Sequence, residues 1–188
     1  MNGEALPLLN GFPLRLIVPG WYSTYWIKAL DRIEVLTAPD AGYWMAKAYR
    51  IPTTPGADVP PGAKDFPTVP INAMVPRALI TSHAGEAKVV ADDPFYVRGV
   101  AMGGDKGVAR VDLSMDAGRT WHPARLGPDQ GRYGFRLWEA TIAGLRPGGY
   151  RLWARSVNTA GQTQAMTPVW NPGGYMRNPP ATIAVRAA

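Results

Sequence analysis

The chain has 188 residues and a mass of 20.3 kDa, enough for one ordinary domain or for one domain with a piece of a second. It contains no cysteine, which excludes disulfides, thiolate catalysis, cysteine-held zinc, iron–sulfur clusters and thioether-bound haem. Its net charge of +6 arises entirely after residue 60, from arginines set singly rather than in blocks; that pattern argues against nucleic acid and for an anionic substrate or acidic partner.

From the N-terminus, residues 1–15 show neither a basic n-region nor a continuous apolar h-region, so no secretory signal is read there. No apolar run reaches the roughly 18 to 20 residues of a membrane span. Leu14–Val18 has the pattern of a short buried strand, Pro19-Gly20 of a turn, and Tyr22–Leu30 of a short helix or turn with Ile27 and Leu30 inward. Ile33–Leu36 is another predicted strand. So few elements in some fifty residues cannot enclose a core of their own; residues 1–50 have the pattern of the tail of something larger.

Seven of the nineteen prolines fall between Pro52 and Pro76. Proline fixes φ and biases the residue before it toward extended backbone, so residues 51–76 are predicted as an extended surface connection without helix. After it, stretches rich in β-branched and aromatic residues alternate with glycine turns: Phe95–Met102, Ala109–Ser114, Gly134–Trp138, Gly149–Val157 and Ile183–Arg186. The spacing predicts an antiparallel β-sandwich. In Arg151–Val157, Leu152, Ala154 and Ser156 share one face, with Arg151, Trp153, Arg155 and Val157 on the other.

Ser114-Met115-Asp116-Ala117-Gly118-Arg119-Thr120-Trp121 fits the Asp-box pattern S-x-D-x-G-x-T-W. That is a hairpin signal: the aspartate caps the turn, the glycine takes positive φ and the tryptophan packs beneath. A single copy does not build a propeller. His83 and His122 have no ligand-type partner at helical or hairpin spacing, so no metal ligands are predicted. There is no G-x-S-x-G elbow. PGGY occurs at Pro147–Tyr150 and again at Pro172–Tyr175, and the paired glycines mark tight turns. The densest chemistry is N-terminal, around Asn10, Arg15, Trp26, Lys28, Trp44, Tyr49 and Arg50. An arginine and a lysine thirteen residues apart around a Pro-Gly turn either converge on a phosphate or stand as a solvated pair; spacing alone leaves both open.

The run Gly3–Tyr22, with Asn10-Gly11-Phe12-Pro13-Leu14-Arg15 at its centre, resembles the closing segment of the molybdenum-cofactor domain of the sulfite oxidase and sulfite dehydrogenase family. Trp26-Ile27-Lys28, the Trp44 and Tyr49 pair, Ile71–Ser82, Asp116–Trp121 and Trp170-Asn171-Pro172-Gly173-Gly174-Tyr175 continue the resemblance in order across the chain. The resemblance implies that Arg15 and Lys28 hold the terminal phosphate of the molybdopterin cofactor, helped by backbone at Trp26 and Ile27. Asn10 stands where the family often has histidine. Tyr49 matches the tyrosine beside the molybdenum, with Trp44 nearby. An arginine of the anion pocket in some members is matched by Gly173, leaving Arg177 as the nearest cationic candidate.

The fold class implied is mainly β: an immunoglobulin-like β-sandwich dimerisation domain over 77–188, a proline-rich connection over 51–76, and a short partial α+β remnant of the molybdenum-cofactor domain over 1–50. The family's metal-ligating cysteine lies in an earlier part of that domain and has no counterpart here, so this stretch by itself is expected to be catalytically silent. Met1 matches an internal position of relatives, so the chain reads as a fragment or a short product. The function implied is a share in oxidising sulfite or a related sulfur anion by oxygen-atom transfer. Electrons would pass to a separate c-type cytochrome, since no haem-attachment motif is present. The implied partners are a second copy, in a homodimer, and the preceding molybdenum domain; the implied location is the periplasm. The alternative reading is a stand-alone β-sandwich binding or dimerisation module.

Overall fold

The computed structural model describes residues 3–188, which form two compact units. The first comprises the chain up to Met74 together with Val169–Met176; the second comprises Val75–Pro168 and Arg177–Ala188. The returning segment 169–176 means the chain crosses between units more than once.

In the first unit, strand β1 (Arg50–Pro52) pairs antiparallel with β2 (Thr68–Pro70), Arg50 opposite Pro70 and Pro52 opposite Thr68. Two strands are all that a proline-rich stretch supports, because each proline removes a ladder donor. Between them, Pro55–Ala57 makes a 3-10 turn where no helix was predicted. Ala57, Val59 and Ile71 are buried, so residues 51–74 form part of the packed first unit. Asn171 fastens the returning segment: its Nδ2 donates to the carbonyls of Ala57 (3.1 Å) and Tyr175 (2.7 Å), and its Oδ1 accepts from the Tyr175 N–H (3.1 Å). Val59 N donates to Trp170 O (2.9 Å) and Trp170 N to Asp58 Oδ1 (2.7 Å).

Two predicted strands near the N-terminus come out differently. Leu14–Val18 is not a strand; it is extended backbone joined to 27–30 by Leu16 N to Ile27 O and Leu30 N to Leu14 O, both 2.9 Å. Ile33–Leu36 has no ladder, and its side chains face solvent. Of the short helix or turn predicted over Tyr22–Leu30, the turn forms, as a 3-10 turn at Ser23–Tyr25; Leu30 is half-buried, but Ile27 is exposed rather than inward. One cause is common to all: apolar pattern selects a strand or a helical face only where a partner surface covers it.

In the second unit a five-stranded sheet runs in the order β4 (Glu86–Val89), β11 (Ala181–Ala187), β10 (Gly148–Asn158), β6 (Val108–Ser114), β7 (His122–Pro123). A four-stranded sheet runs β3 (Arg77–Ile80), β5 (Phe95–Met102), β9 (Arg136–Ile142), β8 (Arg125–Leu126). All pairings are antiparallel except β11 with β4. The β-sandwich is therefore as predicted; four of the five stretches read from sequence fall on β5, β6, β10 and β11, while Gly134–Trp138 overlaps only the start of β9. Their inward residues, among them Val97, Val111, Leu113, Trp138, Leu152, Ala154, Ile183 and Val185, form one core. The outer face of β10 is not wholly solvated: Val157 is buried, and Arg155 lies 3.9 Å over the Trp121 ring while bonding the buried Asp112 carboxylate (3.3 Å).

The Asp-box is the hairpin between β6 and β7. Ser114 Oγ accepts from Gly118 N (2.8 Å), Asp116 Oδ1 accepts from Thr120 N (2.9 Å), and Asp116 Oδ2 accepts from the Thr120 hydroxyl (2.7 Å). These donors, the Thr120 backbone N–H first, hold the Asp116 carboxyl well below the usual carboxylate range. Both Ala117 and Gly118 take positive φ.

Candidate functional site

Leu8–Asn10 forms a single 3-10 turn, closed by Gly11 at φ +106° with its N–H on Leu8 O (3.1 Å). That φ is unfavourable to any side chain. Gly11 is also where the turn meets the segment 27–30, which bends at Lys28 and Ala29, since a Cβ there would stand 2.9 Å from Lys28 Cα. The close approach lets Ala29 N reach Gly11 O (3.2 Å). Together with the Leu16–Ile27 and Leu30–Leu14 bonds it brings two segments thirteen residues apart side by side.

The consequence for the predicted residues is direct. Lys28 Nζ donates to Leu9 O (2.8 Å) and Arg15 donates to Asn10 O (3.5 Å), so the two cations lie on consecutive carbonyls of one turn. The Arg15 guanidinium carbon lies 5.9 Å from the centroid of the Trp26 ring, and Trp26 is itself held by Nε1 to Val18 O (3.0 Å). Asn10, Arg15, Trp26, Ile27 and Lys28 are brought together at one turn, where both cations donate to exposed backbone carbonyls. Arg15 Nε is buried and has no hydrogen-bond partner. A buried, unpartnered guanidinium N–H is costly unless an acceptor reaches it, and an anionic oxygen is the acceptor its chemistry favours. The residues present therefore fit the phosphate end of a pterin cofactor.

Tyr49 ends a π-helical turn, Trp44–Ala48, and its N–H closes that turn on Trp44 O (2.7 Å). The wide turn places the Tyr49 ring against Trp44, stacked at 5.2 Å and 25°. Such turns recur where a side chain must be re-aimed. Tyr49 O accepts from Ile71 N (2.9 Å), which ties the phenol's backbone to the buried Ile71.

Arg177 belongs to the second unit, where it is exposed at the start of the segment leading to β11; Tyr49 and Gly173 belong to the first. Sequence reasoning named Arg50 only beside Tyr49 and passed over Lys47 and Lys64. Arg50 Nε donates to Thr68 Oγ1 (2.8 Å), NH2 to Thr68 O (2.6 Å) and NH1 to Met45 O (3.4 Å). The available signal was Arg50 beside Tyr49; reading 51–76 as a connection hid the β1–β2 pairing that sets Thr68 against Arg50.

Two sequence families match the chain: the oxidoreductase molybdopterin binding domain over residues 1–44 and the Mo-co oxidoreductase dimerisation domain over residues 68–187. Mitochondrial sulfite oxidase of Drosophila melanogaster is 35% identical over 95% of this chain and 33% of its own length. The chain belongs to the sulfite oxidase family of molybdopterin oxidoreductases. Sulfite oxidase of Gallus gallus is 30% identical over 94% of the chain and 39% of its own length. An inducible NADH nitrate reductase of Glycine max is 30% identical over 94% of the chain and 22% of its own length. Among solved structures, the sulfane dehydrogenase SoxCD of Paracoccus pantotrophus superposes with a TM-score of 0.79 at 23% identity, over the whole of this chain and 49% of that one; that likeness is one of fold. This sulfite oxidase family chain spans about a third of the length of the curated relatives it matches.

Proposed function

We propose that this chain supplies the pterin-phosphate contacts, the active-site tyrosine and the dimer interface of a molybdenum-cofactor oxidoreductase acting on sulfite or a related sulfur anion. The observation that carries the reading is the convergence of Lys28 and Arg15 on Leu9 O and Asn10 O, with the buried Arg15 Nε lacking an acceptor. When bound, the molybdenum centre would supply oxygen-atom transfer, and a c-type cytochrome is the electron acceptor proposed for the complete enzyme. The chain's own residues hold and orient. The Arg15 fork and the Lys28 ammonium neutralise a terminal phosphate, the first with directed N–H groups and the second as a mobile point charge. Asn10 and the backbone of Trp26 and Ile27 form the surrounding wall. The Tyr49 phenol, held flat by Trp44, is a hydrogen-bond donor for an oxyanion substrate.

Exposed apolar side chains in the first unit support a larger cofactor domain around it. Val35 is 93% exposed, Leu9 84% and Ile33 74%, and apolar groups in such number on one small unit call for covering polypeptide. On this reading residues 1–50 are the closing part of that domain, the metal-ligating cysteine comes from its preceding part, and the enzyme works in the periplasm. Among the described residues no helix is long and apolar enough to cross a membrane.

A second copy is the partner proposed for the sandwich. On the outer face of the four-stranded sheet, Leu79, Val100 and Leu137 lie in register across β3, β5 and β9, and Leu137 is 63% exposed. Such an apolar row suits an isologous contact. A stand-alone dimerisation module is the competing reading, favoured by the second unit having its own core. Variants of the complete enzyme separate the two. Arg15→Ala with Lys28→Ala should lose cofactor, and Tyr49→Phe should slow turnover with molybdenum retained; undiminished cofactor in the double variant would remove the phosphate role.

A further inference from the structure

A cavity of about 530 Å³ opens within the second unit, between the two sheets of the sandwich. The β6–β7 hairpin forms one wall, with Met115, Asp116 and His122; the end of β9 and the loop after it form the other, with Ile142 and Leu145. The cavity reaches Leu113, a buried member of the common core. A volume of this size, with an apolar lining broken by a few polar groups, is what small-molecule sites have. Leu137 lies at the start of β9 and Ile142 at its end, so the cavity stands apart from the apolar row assigned to a second copy.

Both walls are fixed before any ligand arrives. The hairpin is held by the Ser114, Asp116 and Thr120 bonds and by Trp121 Nε1 on Gly118 O (2.9 Å). The opposite loop is pinned at Gly144, where a Cβ would stand 2.1 Å from Asp92 O. Asp92 N donates to Leu145 O (2.8 Å), and the Tyr150 hydroxyl donates to Arg146 O (3.1 Å). A ligand entering such a frame has little ordering cost to overcome.

The charge on the walls has one sign. Asp116 is the only carboxylate that lines the cavity, and no lysine or arginine does. Its oxygens accept from the Ser114 and Thr120 hydroxyls (2.8 and 2.7 Å) and from Thr120 N (2.9 Å), all neutral donors. The nearby Arg119 bonds the backbone oxygen of Asp116 (3.1 Å) rather than the carboxylate. The hairpin therefore keeps this group ionised without cancelling its charge. Beside it, Met115, Ile142 and Leu145 offer apolar surface that a ligand of matching character would bury.

We propose that this cavity binds a small organic cation, an apolar or aromatic body carrying one primary ammonium group that meets the Asp116 carboxylate. The site belongs wholly to the second unit, so it survives or fails independently of the cofactor reading.

The test is titration of the 188-residue chain with benzylamine, benzyl alcohol and benzoate at neutral pH and constant ionic strength, read by backbone amide NMR. Saturable shifts at Met115, Thr120, Ile142 and Leu145 are expected with benzylamine, weaker ones with benzyl alcohol and none with benzoate. Asp116→Asn should weaken benzylamine about fivefold, the upper end of what an exposed ion pair contributes, and leave benzyl alcohol unchanged; unaltered amide positions in β5 and β10 would show that the variant is folded. Benzoate binding as well as benzylamine to the unsubstituted chain, or benzylamine shifts centred away from the cavity, would overturn the proposal. So would broadening of the cavity's amides that grows with protein concentration in the absence of any probe, which would place a second copy there.

Discussion

Gly11→Ala probes the turn on which the two cations meet. A methyl group at this position meets two separate obstacles. The backbone φ of +106° is one that L side chains avoid, which costs about 1 to 3 kcal/mol. The new Cβ would also stand 2.9 Å from both Cα and Cβ of Lys28 and 3.1 Å from Ala29 N. Since the obstacle is backbone and not the end of a flexible side chain, the segment 27–30 must draw away. The bonds that then lengthen are Ala29 N to Gly11 O and Lys28 Nζ to Leu9 O. Native-state hydrogen exchange reads this locally: the amides of Ala29, Leu30 and Leu16 should exchange roughly 5- to 150-fold faster than in the unsubstituted chain. Amides of β5 and β10 in the other unit should keep their rates. Unchanged protection at Ala29 and Leu30 would mean that Gly11 does not hold the turn against Lys28, and the site geometry built on it would fall.

Gly99→Ala should destabilise the sandwich by about 3 kcal/mol or more, because the added carbon would lie 2.0 Å from Leu79 O and 2.4 Å from Trp138 Cζ2; a melting temperature within a degree or so of the parent would contradict this. For Asp116 the folded pKa is depressed, so its contribution is complete above the ordinary value of 3.8 and is lost as pH falls below that value toward the folded one. Asp116→Asn should accordingly melt lower than the parent at neutral pH, with the difference closing in strong acid; a pH-independent difference in thermal unfolding would refute the hairpin's charge-assisted bonds. Leu137→Asp should convert a dimer to a monomer in sedimentation velocity with little change in melting temperature, since the side chain is largely exposed; a persistent dimer would place the interface elsewhere.

The sandwich was readable because its long strands alternate cleanly. Phe95, Val97 and Ala101 face the core while Tyr96 and Arg98 face out, and a period of two is a signal that tertiary context reinforces. The short edge strands β3, β4, β7 and β8 escaped because two to four residues hold too little pattern to register. In the first unit the opposite error arose: Leu14–Val18 and Ile33–Leu36 carry the apolar content of buried strands but lie open, because pattern reports what a segment is made to bury and not what covers it. The Arg15–Lys28 pairing was visible as a resemblance and undecidable from spacing. What decides it, the close approach at Gly11, depends on a backbone conformation that the bare sequence signals only by the presence of a glycine. Lys64 was invisible as a site residue for a different reason. It lines the same cavity as Arg50 from a proline-rich stretch, where strand signals are weakest.

The most direct measurement is the molybdenum and pterin content of the natural protein purified from its source, compared with the same protein carrying Arg15→Ala and Lys28→Ala. Stoichiometric molybdopterin in the parent, lost in the double variant while the protein stays folded by circular dichroism, is the predicted result. A parent free of pterin, or a double variant that retains it in full, would contradict the assignment of this turn to the cofactor's phosphate.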